Sequence, residues 1–239
     1  MLVPELPASG EAEGVLRGPE AHHLRDVLRL KPGAPVEAFD GAGNVADGRV
    51  KAVSGEGVVL ELGGARREPA EARRALTVAV ALLKGDKLSD VVRQCTELGA
   101  ARFVLLATRY ADVGSMSAAR RQRLKRVAEE AARQSGRAVV PAIVGPAPLA
   151  ALTWEGAAVV ADPDVRLPLA AALEAVGGRG VGVTVITGPE GGFAPGEVDA
   201  LTRRGAVAVS LGPWTLRAET APVALTAAVL LSRPESDAR

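Results

Sequence analysis

From residue 76 onward, short apolar runs alternate with helical stretches, and that alternation constrains the fold more than any other feature of the chain. The runs at 76–83, 102–107, 157–161, 181–187 and 207–211 are rich in Val, Leu, Ile and Ala and lack a regular polar partner at every second position. A strand apolar on both sides must be covered on both faces, as happens when helices flank a parallel sheet. Helical stretches are expected at 87–98, 118–135, 167–176 and 195–204, between the runs. In the first of these, Leu88, Val91, Val92, Cys95 and Leu98 share one face and Gly99 stands where a left-handed cap belongs. The stretch 195–204 opens with Pro195 in its first turn and closes at Gly205. The segment 219–231 is Ala- and Leu-rich nearly all round, which predicts a buried or interface helix.

The first seventy or so residues have a different texture. Short apolar runs such as Pro35–Phe39 and 57–62 are separated by turn signals at Asp40-Gly41, Asp47-Gly48 and Ser54-Gly55. Strands at that spacing indicate a small antiparallel barrel or sandwich. One helix is expected at 20–30, with Leu24, Val27 and Leu28 at i, i+3 and i+4. The stretch 63–69, with two glycines, a proline and no apolar period, is the best linker candidate. No internal repeat or low-complexity tract is present.

Charge and composition exclude several functions. With 29 Lys and Arg against 28 Asp and Glu, the net charge of +1 excludes a uniformly basic nucleic-acid coat, although not a local basic patch. Six aromatic residues are few for a protein that stacks several bases of a single strand. Cys95 is the only cysteine, so no intramolecular disulfide or cysteine metal cluster exists. The only histidines, His22 and His23, cannot build a three-histidine zinc site, and no metal is expected. They read as solvated imidazoles on a surface made mildly basic by Arg17, Arg25, Arg29 and Lys31. No secretory signal or membrane span is visible, so a cytoplasmic protein is expected.

Two loops stand out at the ends of expected strands. The first is Thr187-Gly188-Pro189-Glu190-Gly191-Gly192-Phe193 and the second is Leu211-Gly212-Pro213-Trp214-Thr215-Leu216-Arg217-Ala218-Glu219. Ligands of parallel sheets sit at the carboxyl ends of strands, and glycine lets backbone groups approach without a Cβ in the way. A tight turn joining two elements uses the same residues, so the first loop alone leaves both readings open. Arg217 and Glu219 raise the case for a site, while an ion pair at a helix start is the structural alternative. No P-loop and no G-x-G-x-x-G fingerprint occurs. The helix at 118–135 and its exit carry Arg120, Arg121, Arg123, Lys125, Arg126, Arg133 and Arg137 against Glu129 and Glu130. In a chain otherwise close to neutral, that concentration reads as a phosphate-facing surface rather than a merely solvated face. Gln134 and Arg137 close this helix within reach of a neighbouring loop. Glu97 reads as the partner of Arg93 in a surface ion pair.

The chain resembles the bacterial 16S rRNA (uracil-1498-N3)-methyltransferases of the SPOUT superfamily. The resemblance is carried by 22–30, Lys84-Gly85-Asp86-Lys87, Thr96-Glu97-Leu98-Gly99, 130–137 with Pro141, 188–193 and 211–221, in order along nearly the whole chain. Two positions depart from the family pattern: Ala218, where Thr is frequent, and Tyr110 after Arg109, where Ser is frequent.

The resemblance implies an α/β SPOUT-type parallel sheet with a C-terminal trefoil knot over residues 73–239, preceded by a PUA-like β-barrel for RNA binding over 1–68. It implies a homodimer packed through the knot, acting on 16S rRNA in the small ribosomal subunit. S-adenosylmethionine would be held by Ala161, Asp162, Thr187, Gly188, Pro189, Glu190, Gly191, Gly192, Leu211, Gly212, Trp214 and Leu216. Arg217 would stabilise the uracil anion and Glu219 would accept its N3 proton. Arg25, Arg121, Arg123, Arg126, Gln134 and Arg137 are the candidates for RNA contact. A methyltransferase for another RNA position, or a non-catalytic RNA-binding assembly module, would use the same loops differently.

Overall fold

The computed structural model describes residues 1–3, 5–68, 75–111, 116–176 and 182–231. The chain divides into two compact units, Met1–Ala72 with Ala132–Val140, and Arg73–Ala131 with Pro141–Arg239. The first unit thus takes in a segment from the middle of the chain, which no single cut along the sequence would assign to it.

In the first unit, strands β1 (Ala12–Leu16), β2 (Pro35–Phe39), β3 (Asn44–Val53), β4 (Val58–Leu62) and β5 (Arg66–Arg67) form an antiparallel sheet in the order β1-β4-β3-β2, with β5 also on β3. Among the described residues no pair joins β1 to β2. β5 falls inside the expected linker, where Arg66 and Arg67 pair with Val45 and Asn44. Leu16, Leu24, Ala38, Val50, Val58, Leu60 and Leu62 form the core of this unit. A smaller cluster of Phe39, Val45 and Ala138 seats the segment from the middle of the chain.

The helix expected at 20–30 is instead a short α1 (Gly18–His22) followed by one π turn over His23–Val27. The Leu28 amide donates to His23 O at 2.9 Å, five residues back. The wider turn rotates later side chains off the i, i+3, i+4 stripe. Leu24 is therefore buried, while Val27 and Leu28 are 60% and 52% exposed.

The second unit is built on a six-stranded sheet. Its strands are β6 (Leu76–Ala81), β7 (Arg102–Ala107), β8 (Ala142–Pro148), β9 (Ala157–Ala161), β10 (Val183–Thr187) and β11 (Val207–Val209), in the order β11-β9-β10-β6-β7-β8. Every pairing is parallel. β8 has no counterpart among the expected strands. Its Gly145 and two prolines break the apolar run, which a strand at the sheet edge tolerates. Helices α2 (Lys87–Leu98), α3 (Ala118–Ser135), α4 (Leu169–Val176), α5 (Glu197–Arg203) and α6 (Thr220–Leu231) complete the unit. The buried stripe of α2 is Leu88, Val91, Val92 and Cys95, and Gly99 caps it at φ 118°. α5 starts two residues later than expected, because Gly196 at φ 84° stands at its N-cap and separates Pro195 from the helix.

α6 packs against α2, β6 and β10. At that contact Thr226 Oγ1 lies 3.5 Å from Cys95 Sγ. Burial pushes the Cys95 thiol up to about 12. Only the thiolate is nucleophilic. Native protein should therefore resist iodoacetamide at neutral pH, and the denatured chain should take up one equivalent. Stoichiometric labelling of the native protein would contradict the burial of α2 beneath α6.

Candidate functional site

Three neighbouring strands, β11, β9 and β10, end on the same side of the second unit, and the loops that follow them enclose a cleft of about 710 Å³. That volume suits a small organic ligand, for which about 300–1,000 Å³ is usual. The cleft is lined at the end of β9 by Ala161 and Asp162, from the end of β10 by Thr187 to Gly196, and after β11 by Ser210 to Gly212 and Trp214 to Glu219. All the residues expected to hold a cofactor line it, as do Arg217 and Glu219.

Local hydrogen bonds hold each loop. Asp162 Oδ1 accepts the Asp164 amide at 2.9 Å, and the Asp162 amide donates to Val209 O at 3.0 Å, which ties the ends of β9 and β11 together. Gly192, at φ 71°, closes a turn by donating to Pro189 O at 3.0 Å. A Cβ on Gly188 would lie 3.2 Å from the Phe193 ring, and one on Gly191 would lie 3.2 Å from Tyr110 Cβ. These two glycines are needed because the loop is packed from behind. Ser210 Oγ donates to Gly212 O at 2.9 Å, and Gly212 at φ 125° turns the chain. Trp214 beyond it is 80% exposed, so the ring faces solvent.

Charge in the cleft is organised around Lys87, in the first turn of α2. Its Nζ lies 2.9 Å from Glu190 Oε1 and 3.6 Å from Glu219 Oε2. The Lys84 amide donates to the same Glu190 oxygen at 3.1 Å. Burial pushes the Glu190 carboxyl up, but its hydrogen bonds from Lys87 and Lys84 outweigh this and hold it below the usual range. The bond to Glu190 in turn raises the Lys87 ammonium. Arg217 extends to solvent, 85% exposed, with one nitrogen 3.9 Å from Glu219 Oε1. Glu219 Oε2 and Thr187 Oγ1 are buried without a hydrogen-bond partner among the described residues. Such polar atoms in a cleft are ones that a polar ligand satisfies.

The sequence reading gave no role to two residues of this arrangement. Lys87, noted only within the stretch Lys84-Gly85-Asp86-Lys87, is one. The other is Glu197, whose Oε2 accepts the Ala194 amide at 2.7 Å and whose Oε1 accepts the Arg109 amide at 3.1 Å. It thereby holds the glycine-rich loop and the loop after β7 together. A Glu placed three residues after the start of a turn into a helix is a capping signal, and Ala194 to Glu197 has that spacing. The bond to Arg109 has no local signal.

The RNA-contact candidates lie outside the cleft. Arg25 is spent on Asp26 and on the carbonyls of Ser54 and Gly55. On α3, Arg120 donates to Leu83 O and Gly85 O, Arg121 to Gly145 O at 2.5 Å, and Arg123 to Asp86 at 2.6 Å. These arginines anchor the start of α3 to the segment between β6 and α2 and to β8, and Arg126 and Lys125 are exposed further along it. Gln134 is exposed and Arg137 half-buried in the first unit. The Arg93–Glu97 pair expected on α2 is present at 3.5 Å. No group of three His, Cys, Asp or Glu side chains is placed to hold a metal among the described residues, and no described helix is long and apolar enough to cross a membrane.

Comparison with known proteins gives a consistent family. A family model described as an RNA methyltransferase domain matches residues 70–230, and one described as an RNA methyltransferase PUA domain matches 16–63. A ribosomal RNA small subunit methyltransferase E of Mycobacterium bovis is 34% identical over 99% of this chain and 93% of its own. The protein of that name from Synechocystis is 31% identical over 92% of this chain and 73% of its own. Among solved structures, a ribosomal RNA small subunit methyltransferase E from Neisseria gonorrhoeae, bound to S-adenosyl methionine, shares the fold. Its TM-score is 0.86 at 24% identity, over 97% of this chain and 96% of that one. The chain belongs to the RNA methyltransferase family that includes these small-subunit methyltransferases E, with a PUA domain preceding the catalytic α/β domain.

Proposed function

We propose that this chain transfers a methyl group from S-adenosylmethionine to N3 of a uridine, of the uracil-1498 type, in 16S RNA of the small ribosomal subunit. The observation that carries the reading is the strand-end cleft in which a glycine-lined loop, an Arg and a Glu meet. Its fit to the cofactor rests on its volume, on its glycine-lined wall, and on the Thr187 hydroxyl oxygen buried there without a partner among the described residues.

Ala161, Asp162, Thr187, Gly188, Pro189, Glu190, Gly191 and Gly192 form one wall of the cofactor site, and Leu211, Gly212, Trp214 and Leu216 the other. Backbone groups at Leu211, Trp214 and Leu216 suit the uncharged hydrogen-bonding edges of adenine. When bound, S-adenosylmethionine supplies an electrophilic methyl group on a sulfonium. The protein's part is to align N3 with that methyl group and to remove the N3 proton. Glu219 accepts the proton, and Arg217, free in solvent, swings over the base to stabilise the uracil anion.

The first unit serves as an RNA-binding domain, residues 1–68 in chain terms, with the methyltransferase domain at 73–239. The interleaved order of β9, β10 and β6, with α6 packed back on α2, supports a C-terminal trefoil knot, through which the family resemblance implies a homodimer. Its substrate places the enzyme in the cytoplasm. Arg25, Arg121, Arg123, Arg126, Gln134 and Arg137 are the candidates for contact with the RNA backbone, and Arg126 with Lys125 offers it at least structural cost, since Arg25, Arg121 and Arg123 already bind within the protein. Neutralising Lys125 and Arg126 together should flatten the salt dependence of RNA affinity by roughly 0.7–0.9 in slope per lost charge. An unchanged slope by filter binding would remove that surface from the account.

Incubation with small-subunit particles from a strain lacking the modification, followed by nucleoside mass spectrometry, tests the activity. The expected product is 3-methyluridine at one site. A ribose 2′-O-methyl product would overturn the assignment of the atom, and an absence of cofactor binding with intact RNA affinity would overturn the assignment as an enzyme.

A further inference from the structure

We infer that Lys87 is a positioning residue for the methyl transfer: it holds the inner oxygen of the Glu219 carboxylate and leaves the outer oxygen to take the N3 proton. The inference rests on the reading of Glu219 as the proton acceptor.

The two oxygens of Glu219 have different surroundings. Oε2 is fully buried, makes no hydrogen bond among the described residues, and has Lys87 Nζ at 3.6 Å. Oε1 faces Arg217, whose side chain is 85% exposed. A carboxylate whose inner oxygen had no cation beside it would carry a buried, uncompensated charge, which is costly. Lys87 offsets that charge without occupying the face that meets the substrate.

Lys87 is itself fixed. Glu190 binds its ammonium at 2.9 Å, and the Lys84 amide binds the same Glu190 oxygen at 3.1 Å. Lys87, in the first turn of α2, thus joins the glycine-rich loop at Glu190, 103 residues away in sequence, to Glu219. The lysine is poised between two carboxylates, and the nearer one keeps it from bonding Glu219 so tightly that the acceptor is lost. In the step itself the N3 proton passes to Oε1. The freed nitrogen electron pair forms the bond to the methyl carbon, and the electrons of the broken carbon–sulfur bond remain on sulfur. Charge is conserved, because the positive charge of the sulfonium leaves as the proton held by Glu219.

The test uses the full-length protein with small-subunit particles under single-turnover conditions, with Lys87→Met, Lys87→Arg, Glu219→Gln and the Lys87→Met/Glu219→Gln double variant. Lys87→Met should slow methylation about tenfold or more while S-adenosylmethionine affinity stays within about threefold. Lys87→Arg, which keeps the charge and the fold, should recover most of the rate. The double variant should be no slower than Glu219→Gln alone, because the lysine acts through that carboxylate. A wild-type rate in Lys87→Met, or losses that multiply in the double variant, would overturn the inference. A wild-type rate in Glu219→Gln would instead remove the acceptor reading on which it stands.

Discussion

Single-turnover methylation by Arg217→Ala and by Glu219→Gln should fall by about a hundredfold or more each, with cofactor affinity little changed. The size follows from the role: a positioned proton acceptor contributes about 10²–10⁴ in rate, and a cation at a developing anion a comparable amount. The selectivity follows from the geometry. The Arg217 side chain is 85% exposed and makes a loose contact with Glu219 at 3.9 Å, so truncating it leaves the backbone bonds of the loop in place. Glu219 is 22% exposed and sits beside Lys87, and Gln keeps its shape while removing the charge. Stopped reactions scored by incorporated methyl label, with calorimetry for the cofactor, separate the rate from binding. Near-wild-type rates in both variants would mean that neither residue takes part in the chemistry.

Gly188→Val should weaken S-adenosylmethionine binding by about a hundredfold, or roughly 2.7 kcal/mol. A Cβ at this position already meets the Phe193 ring at 3.2 Å and the Gly192 backbone at 3.4 Å, so a branched side chain has to push one of them aside. Phe193 is packed against the core cluster of Leu106, Ala158, Val160, Ile186 and Leu201, so it has little freedom to move aside. The substitution therefore displaces the loop toward the ligand. Thermal melting controls for global loss of fold, and retention of wild-type affinity would show that the ligand does not approach this strand end.

Much of the site was legible because its residues are contiguous. Thr187 to Gly192 and Leu211 to Glu219 each form one loop, and the rule that ligands lie at the carboxyl ends of parallel strands brings the two together without knowledge of the fold. The strands were legible because both their faces are buried, which leaves an apolar run in the sequence. β8 was hidden by its glycine and prolines, which only the sheet edge accommodates. The π turn was hidden because Leu24, Val27 and Leu28 have α-helical spacing, and nothing local announces the bond from Leu28 back to His23.

Lys87 and Glu197 were illegible for a different reason. Their partners lie 103 and 88 residues away, and a lysine or glutamate in the first turn of a helix looks like an ordinary solvated side chain. The arginines of α3 show the converse. Their clustering was plain, but Arg120, Arg121 and Arg123 are bound to carbonyls and to Asp86 that only the tertiary fold brings near. A count of charges in a helix does not tell which of them face outward.

The central claim is that the loops after β9, β10 and β11 cradle S-adenosylmethionine. A crystal structure of the protein grown with that compound tests it most directly. The account predicts the ligand in the cleft, with adenine against the backbone of Leu211 to Leu216 and the sulfonium methyl directed toward Arg217 and Glu219. A well-ordered ligand bound elsewhere, with the cleft closed by the protein's own side chains, would contradict it.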